Sequence, residues 1–239
     1  MKPVEFPLQV KAVAIDLDGT LLDTIGDLAH ASNLMRVELG MSELPESLVK
    51  TFVGKGMLNL VRRTLAGGGD TSHIGETQLQ QALSIYERHY ASVLTRETSH
   101  YPGVLDGLRL LHDAGFRLAC ITNKAEKFTL PLLRQMNLEH FFEITVSGDT
   151  TAKRKPDPMP LLHAAEFFKI EPSEMLLIGD SVNDYEAARA AGCPIFLVPY
   201  GYNEGRDASE LPADAIIQGL DQAAKLIQNS AAKDKKYLI

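Results

Sequence analysis

The feature that most constrains this chain is a rhythm: short, nearly continuous apolar runs, each followed by a polar cluster or a segment of helical period. The runs are residues 10–15 (VKAVAI), 116–121 (FRLACI), 142–146 (FEITV), 175–178 (MLLI) and 195–198 (IFLV), with a weaker sixth at 215–217. Apolar runs of this length, without polar alternation, suit strands covered on both faces. Segments of helical period, 103–115, 125–137, 158–170 and 183–192, separate them. Strand alternating with helix implies an α/β fold, a doubly wound parallel sheet. Pro131 lies inside the second helical segment and is expected to kink or divide it.

The rhythm is broken once. From residue 24 to residue 98 there is no convincing strand, and the pattern reads as helices over 26–39, 46–53, 57–66 and 76–95, with a break at Gly67-Gly68-Gly69-Asp70. Tyr101-Pro102-Gly103 restarts the alternation. About 75 consecutive residues without a strand are too many for a simple covering of the sheet. The expected organisation is therefore an α/β core of residues 1–22 and 99–239, with a helical domain of residues 23–98 inserted after the first strand and hinged at 22–24 and 98–102.

Composition excludes several classes. The formal net charge is −7, too acidic to supply the cationic field that nucleic acid or an anionic membrane surface requires. No apolar run approaches the ~18 residues of a membrane-spanning helix. The start, MKPVEFPLQVK, has neither a long apolar stretch nor a small-residue cleavage site, so no signal peptide is expected there. Cys120 and Cys193 lie in apolar segments and form no CxxC, which fits reduced core cysteines in a cytoplasmic protein. The charged tail, 230–236, is expected to fray.

Open parallel sheets bind ligands at the carboxyl ends of their strands, so the residues leaving each run are the ones to inspect. The first run leads into Asp16-Leu17-Asp18-Gly19-Thr20, the second into Thr122-Asn123-Lys124, and the fourth into Gly179-Asp180-Ser181-Val182-Asn183-Asp184. Lys153-Arg154-Lys155-Pro156 stands just before a helix on the same edge. Hard oxygen donors from two strand ends, with room for water, suit Mg²⁺. Thr122 and Asn123 offer a hydroxyl and backbone N–H groups at a strand-to-helix turn, a natural phosphate cradle. Pro156 biases Lys155 towards extended backbone, which helps aim its ammonium inward, whereas Lys153 and Arg154 fit a solvated face. A single DxD commonly marks a turn; three polar strand exits and a lysine on one edge describe a cation site beside an oxyanion site.

These motifs resemble the haloacid dehalogenase-like hydrolase superfamily: DLDGT after a strand, Thr122 after the second strand, Lys155 before Pro156, and GDSxxD after the fourth. The resemblance covers the whole chain and includes the helical insert, which is similar to a C1-type cap. The KPDPMPLL stretch and the GKG turn look like the phosphoglycolate phosphatase branch. The resemblance implies that Asp16 is a nucleophile forming an aspartyl-phosphate and Asp18 the general acid and base. It implies that Thr122, Asn123 and Lys155 bind phosphate. It further implies that Asp16, the carbonyl oxygen of Asp18, and Asp180 hold Mg²⁺, with Asp184 behind them. The dehalogenase branch has no carboxylate at the place of Asp18, because a halide leaves without a proton.

In the insert, Asn59 and Arg63 share a helix face at i, i+4 spacing beyond the turn carrying Lys55. Together the three could meet a second anionic group on the substrate. A Schiff-base role for Lys50 or Lys55, as in phosphonate cleavage, is the less favoured reading. The expected activity is a phosphomonoesterase acting on a small phosphorylated metabolite, 2-phosphoglycolate above others, in a monomer or homodimer. Other phosphosugar phosphatases, a pyrophosphatase and a β-phosphoglucomutase-like mutase are the alternatives within the class. A non-catalytic phosphate-binding scaffold is the alternative outside it; that reading predicts a lost nucleophile or acid, and both are present.

Overall fold

The computed structural model describes residues 5–231. Its strands are β1 (Leu8–Val10), β2 (Ala12–Ile15), β3 (Leu22–Asp23), β4 (Ser99–His100), β5 (Arg117–Ile121), β6 (Ile144–Val146), β7 (Met175–Gly179), β8 (Ile195–Leu197), β9 (Ala215–Ile216) and β10 (Ile227–Asn229). Its helices are α1 (Ile25–Glu38), α2 (Glu46–Lys50), α3 (Met57–Leu65), α4 (Glu76–Val93), α5 (Val104–Asp113), α6 (Glu126–Gln135), α7 (Met159–Phe168), α8 (Val182–Ala191) and α9 (Leu220–Leu226).

Six strands form the central sheet in the order β6-β5-β2-β7-β8-β9, every neighbouring pair parallel. The chain leaves β2 for β5 on one side and later returns to β7 on the other. The strand order therefore reverses beside the carboxyl end of β2, the crevice where such sheets bind ligands. Register sets the rest: Ile15 lies opposite Cys120 and Ile178, so Asp16, Thr122 and Asp180 emerge at nearly one level.

Period two along β2 decides which layer each side chain joins. Val13 and Ile15 enter one apolar cluster with Leu108 and Leu111 of α5 and Leu220 of α9. Ala12 and Ala14 enter the other with Leu161 and Ala164 of α7 and Ala187 of α8. Each fully buried large aliphatic side chain is worth about 1.5–3 kcal/mol. The alanines leave room for α7 and α8 to lie close to the sheet.

Three features differ from the sequence expectation. The run 10–15 is two strands, with Lys11 between them; β1 pairs with β10 in a separate small sheet. Pro131 does not divide α6, because Phe128, Leu132 and Leu133 anchor that helix in the core and outweigh the lost backbone bond. Helix α9 and strand β10 had no apolar run long enough to announce them. The frayed-tail expectation lies mostly outside the described residues.

The insert α1–α4 leaves the core at β3 and returns at β4, which pair antiparallel, Leu22 with His100 and Asp23 with Ser99. Asp27, fully buried, accepts from the Glu97 and Thr98 backbone N–H groups and from the Thr98 hydroxyl, tying α1 to the returning chain. One apolar cluster runs from the sheet into the insert through Leu28, Phe52, Leu60, Tyr86 and Tyr90, so the insert is packed down on the core. No helix among the described residues is long and apolar enough to cross a membrane.

Candidate active site

Lys155 is the centre of the site. It is 3% exposed, and its ammonium donates to Asp16 Oδ1 at 2.7 Å, to Asp184 Oδ1 at 2.6 Å and to the Ile121 carbonyl at 2.7 Å. All three ammonium protons are thus used, which fixes the position of the charge. Burial alone would lower its pKa; Asp16 and Asp184 outweigh burial and push it up, so the side chain stays charged.

Asp184 is held by local helix chemistry. It is the third residue of α8, and its Oδ2 accepts from the Ser181 backbone N–H at 3.2 Å and hydroxyl at 2.6 Å, a reciprocal capping box. With Oδ1 on Lys155, both its oxygens are engaged. Asp180 leaves β7 next to it, its Oδ1 accepting from the Thr20 hydroxyl at 3.0 Å and its Oδ2 from the Tyr202 N–H. Gly19 makes this approach possible: at a φ of +94°, a Cβ there would lie 2.5 Å from Asp180 Oδ2.

Carboxylate oxygens of Asp16, Asp180 and Asp184 lie within 4.8 Å of one another, all buried. Burial, only partly offset by Lys155 and reinforced by Asp184, lifts the pKa of Asp16 to about 7. Burial, then Asp16 and Asp184, raises Asp180 well above the usual carboxylate range. Three buried acids against one lysine leave negative charge uncompensated, and a hard divalent cation fits that donor set. Asp16 Oδ1 is engaged by Lys155, while Oδ2 accepts no hydrogen bond among the described residues, so one carboxylate oxygen stays open.

Asp18 faces the opposite way. Its Oδ1 accepts from the Thr24 hydroxyl at 2.7 Å and from the Lys124 ammonium at 2.8 Å, apart from the three-acid cluster. Thr122 and Asn123 sit at the exit of β5 and line the same cavity as Asp16, Asp18, Lys155, Asp180 and Asp184. The Asn123 amide donates to the Gly54 carbonyl of the insert and to the Lys155 carbonyl, both at 2.8 Å, so its side chain clamps insert to core.

The insert residues singled out from sequence are placed differently. Lys55, Asn59 and Arg63 are absent from the cavity lining. Lys55 pairs with Glu204 at 2.6 Å. Arg63 donates to the Thr51 carbonyl at 2.6 Å and stacks over Phe52 at 4.5 Å. The Asn59 amide nitrogen is buried without a partner. The insert instead lines the cavity with Leu28, Val53, Gly54, Met57, Tyr86 and Tyr90 among others. Sequence reasoning missed Lys124, Tyr86, Tyr90 and Tyr202. Lys124 belongs to a strand exit already singled out, whereas Tyr202 lies five residues beyond β8, after Val198-Pro199-Tyr200-Gly201, with no polar run to mark it. Tyr86 and Tyr90, at i, i+4 on α4, are indistinguishable in sequence from an ordinary core stripe.

The sequence profile of the haloacid dehalogenase-like hydrolases matches residues 13–198. A phosphoglycolate phosphatase of Nitrosospira multiformis is 57% identical over 228 residues, covering 95% of this chain and 100% of that protein. A phosphoglycolate phosphatase of Thiobacillus denitrificans is 50% identical over 222 residues, covering 93% and 97%. Among solved structures, a chain described as a predicted phosphoglycolate phosphatase from Haemophilus somnus superposes with a TM-score of 0.84 at 29% identity, covering 89% of this chain and 96% of that one.

Proposed function

Because the chain belongs to the haloacid dehalogenase-like hydrolase family, we propose that it is a Mg²⁺-dependent phosphatase that passes through an aspartyl-phosphate on Asp16 and hydrolyses 2-phosphoglycolate to glycolate and phosphate. The observation that carries this reading is the Lys155 ammonium, buried and shared between Asp16 and Asp184 beside the Asp180 carboxylate. The substrate is suggested by relatives that carry that activity in their names at 57% and 50% identity.

Asp16 Oδ2 attacks phosphorus, and the bond to the glycolate oxygen breaks. Asp18 gives a proton to that departing oxygen; its Oδ2, which accepts no hydrogen bond among the described residues, is the atom free to carry it. Asp18 then takes a proton from the water that attacks the acyl-phosphate, releasing phosphate and restoring Asp16. Lys155 and the backbone N–H groups around Thr122 and Asn123 meet the charge spread over the phosphoryl oxygens. Asp16, Asp180 and the Asp18 carbonyl would hold Mg²⁺, which when bound offsets the repulsion between a phosphate dianion and a carboxylate. Asp184 orients Lys155.

Residues 23–98 act as a cap that excludes water from this chemistry. We place the enzyme in the cytoplasm, where the free, buried Cys120 and Cys193 stay reduced; burial pushes the Cys193 thiol up to about 12. The test is phosphate release from 2-phosphoglycolate with and without Mg²⁺. Wild type should require the cation, and Asp16→Asn should lose at least about 10⁴-fold in kcat. Turnover that survives in Asp16→Asn would falsify the nucleophile assignment.

A further inference from the structure

We propose that Lys124, in the cavity it shares with Tyr86 and Tyr90, binds the second anionic group of the substrate, its carboxylate, in place of the Lys55-Asn59-Arg63 face. This rests on the phosphatase reading above and names the residues that select the substrate.

The cavity contains two cationic side chains among the described residues, Lys124 and Lys155. Lys155 is fixed in place by Asp16, Asp184 and the Ile121 carbonyl, where its charge serves the phosphoryl group. Lys124 is buried at 8% exposure, and its ammonium has one carboxylate partner, Asp18, at 2.8 Å. It also lies 4.9 Å from the centre of the Tyr90 ring. An ammonium carries three donors, so Lys124 keeps capacity for a further acceptor. Tyr86 and Tyr90 are each 1% exposed, line the cavity, and have hydroxyls with no hydrogen-bond partner. Buried phenols ordinarily find a partner, because an unmade hydrogen bond is costly. Two unsatisfied donors and an ammonium lining one cavity call for an acceptor, and a carboxylate supplies the acceptors and the opposite charge.

The placement has a consequence for the chemistry. A carboxylate on the spare donors of Lys124 draws the charge of that ammonium away from Asp18. Binding of the correct substrate thereby loosens Asp18 for its proton transfers, whereas an ester without the second anion leaves the Lys124–Asp18 pair closed.

The test compares two non-hydrolysable probes of equal chain length, 3-phosphonopropionate and propylphosphonate, titrated into the Mg²⁺-loaded full chain by calorimetry. Wild type should bind the carboxylated probe more tightly, by about 30-fold or more, as expected for a desolvated charge pair. Lys124→Met should reduce that ratio to near one while binding propylphosphonate within about threefold of wild type; Tyr86→Phe and Tyr90→Phe should each lower the ratio about fivefold, as for one lost hydrogen bond. The tyrosine variants keep the rings and so the packing, which covers the case of a poorly folded Lys124→Met. A ratio retained in all three variants, or equal losses for both probes, overturns the proposal. Turnover of 2-phosphoglycolate separates it from the reading it rests on. If wild type releases phosphate but the ratio ignores Lys124, the inference alone falls. If the ratio depends on Lys124 but 2-phosphoglycolate is inert, the carboxylate site stands and the substrate assignment falls.

Discussion

Glu204, in the loop after β8, holds Lys55 of the insert at 2.6 Å and comes within 3.9 Å of Arg63. It lies two residues after Tyr202, whose N–H bonds Asp180, so one short segment touches both the acidic cluster and the insert. Lys55 is 45% exposed, and an exposed ion pair is worth no more than about 1 kcal/mol. Glu204→Gln should therefore barely change global stability. Its effect should fall on closure, as faster amide exchange at the start of α3 with exchange in the central sheet unchanged. The same placement predicts that Arg63→Ala raises KM equally for a carboxylated ester and for p-nitrophenyl phosphate, since Arg63 is committed to Thr51 and Phe52.

The acidic cluster sets a pH dependence for metal binding. In the metal-free protein burial lifts Asp16 from 3.8 to about 7, with Asp180 also raised. A carboxyl group whose pKa rises on folding binds protons more tightly in the folded state. Its charge costs stability fully above the folded value, and that cost disappears as pH falls through about 7 towards the unfolded value. A divalent cation needs the deprotonated groups, so it competes with these protons. The rise in Tm on adding Mg²⁺ should be larger at about pH 8 than at about pH 6. Thermal melts at the two pH values check this; an equal or larger gain at the lower pH would contradict it.

The convergence of the strand exits was legible in sequence because parallel strands deliver their exit residues to one place. Asp16, Thr122 and Asp180 needed only a register of Ile15 with Cys120 and Ile178 to meet, and that is the register the sheet adopts. The insert was legible as helices but its facing was not. Asn59 and Arg63 do share one side of α3, yet which side meets the core is decided by how Leu60, Val61 and Leu65 pack, a tertiary choice. Tyr86 and Tyr90 carry the same helical signal as a buried stripe, and only the unmet hydroxyls distinguish them. Strand β10 depended on a partner, β1, more than two hundred residues away.

Lys155→Met should be the most disruptive single change at the site in the metal-free protein. It removes the cation shared by Asp16 and Asp184 and leaves both carboxylates buried among like charges. Breaking a buried pair in this way costs about 3–5 kcal/mol. Lys155→Arg should not restore function, because a planar guanidinium cannot place one charge between Asp16, Asp184 and the Ile121 carbonyl. Urea unfolding measures the loss of stability, and phosphate release measures the failed rescue. Wild-type kcat in Lys155→Arg would show that charge alone suffices.

Tyr202→Phe isolates the link between the acidic cluster and the start of the insert. The Tyr202 hydroxyl accepts from the Thr24 N–H at 2.7 Å and the Ile25 N–H at 3.0 Å, and donates to Asp23 Oδ1 at 2.5 Å. These three residues join β3 to α1, where the chain enters the insert. Thr24 is fully buried, so removing the hydroxyl strands a backbone donor away from water, at a cost of about 1–3 kcal/mol. The backbone N–H of Tyr202 stays on Asp180, so the acidic cluster itself should keep its geometry. The expected result is a lower Tm and faster exchange of the Thr24 and Ile25 amides, with Mg²⁺ affinity close to wild type. Loss of Mg²⁺ affinity along with the protection of these amides would mean that the hydroxyl positions the whole loop, and Asp180 with it.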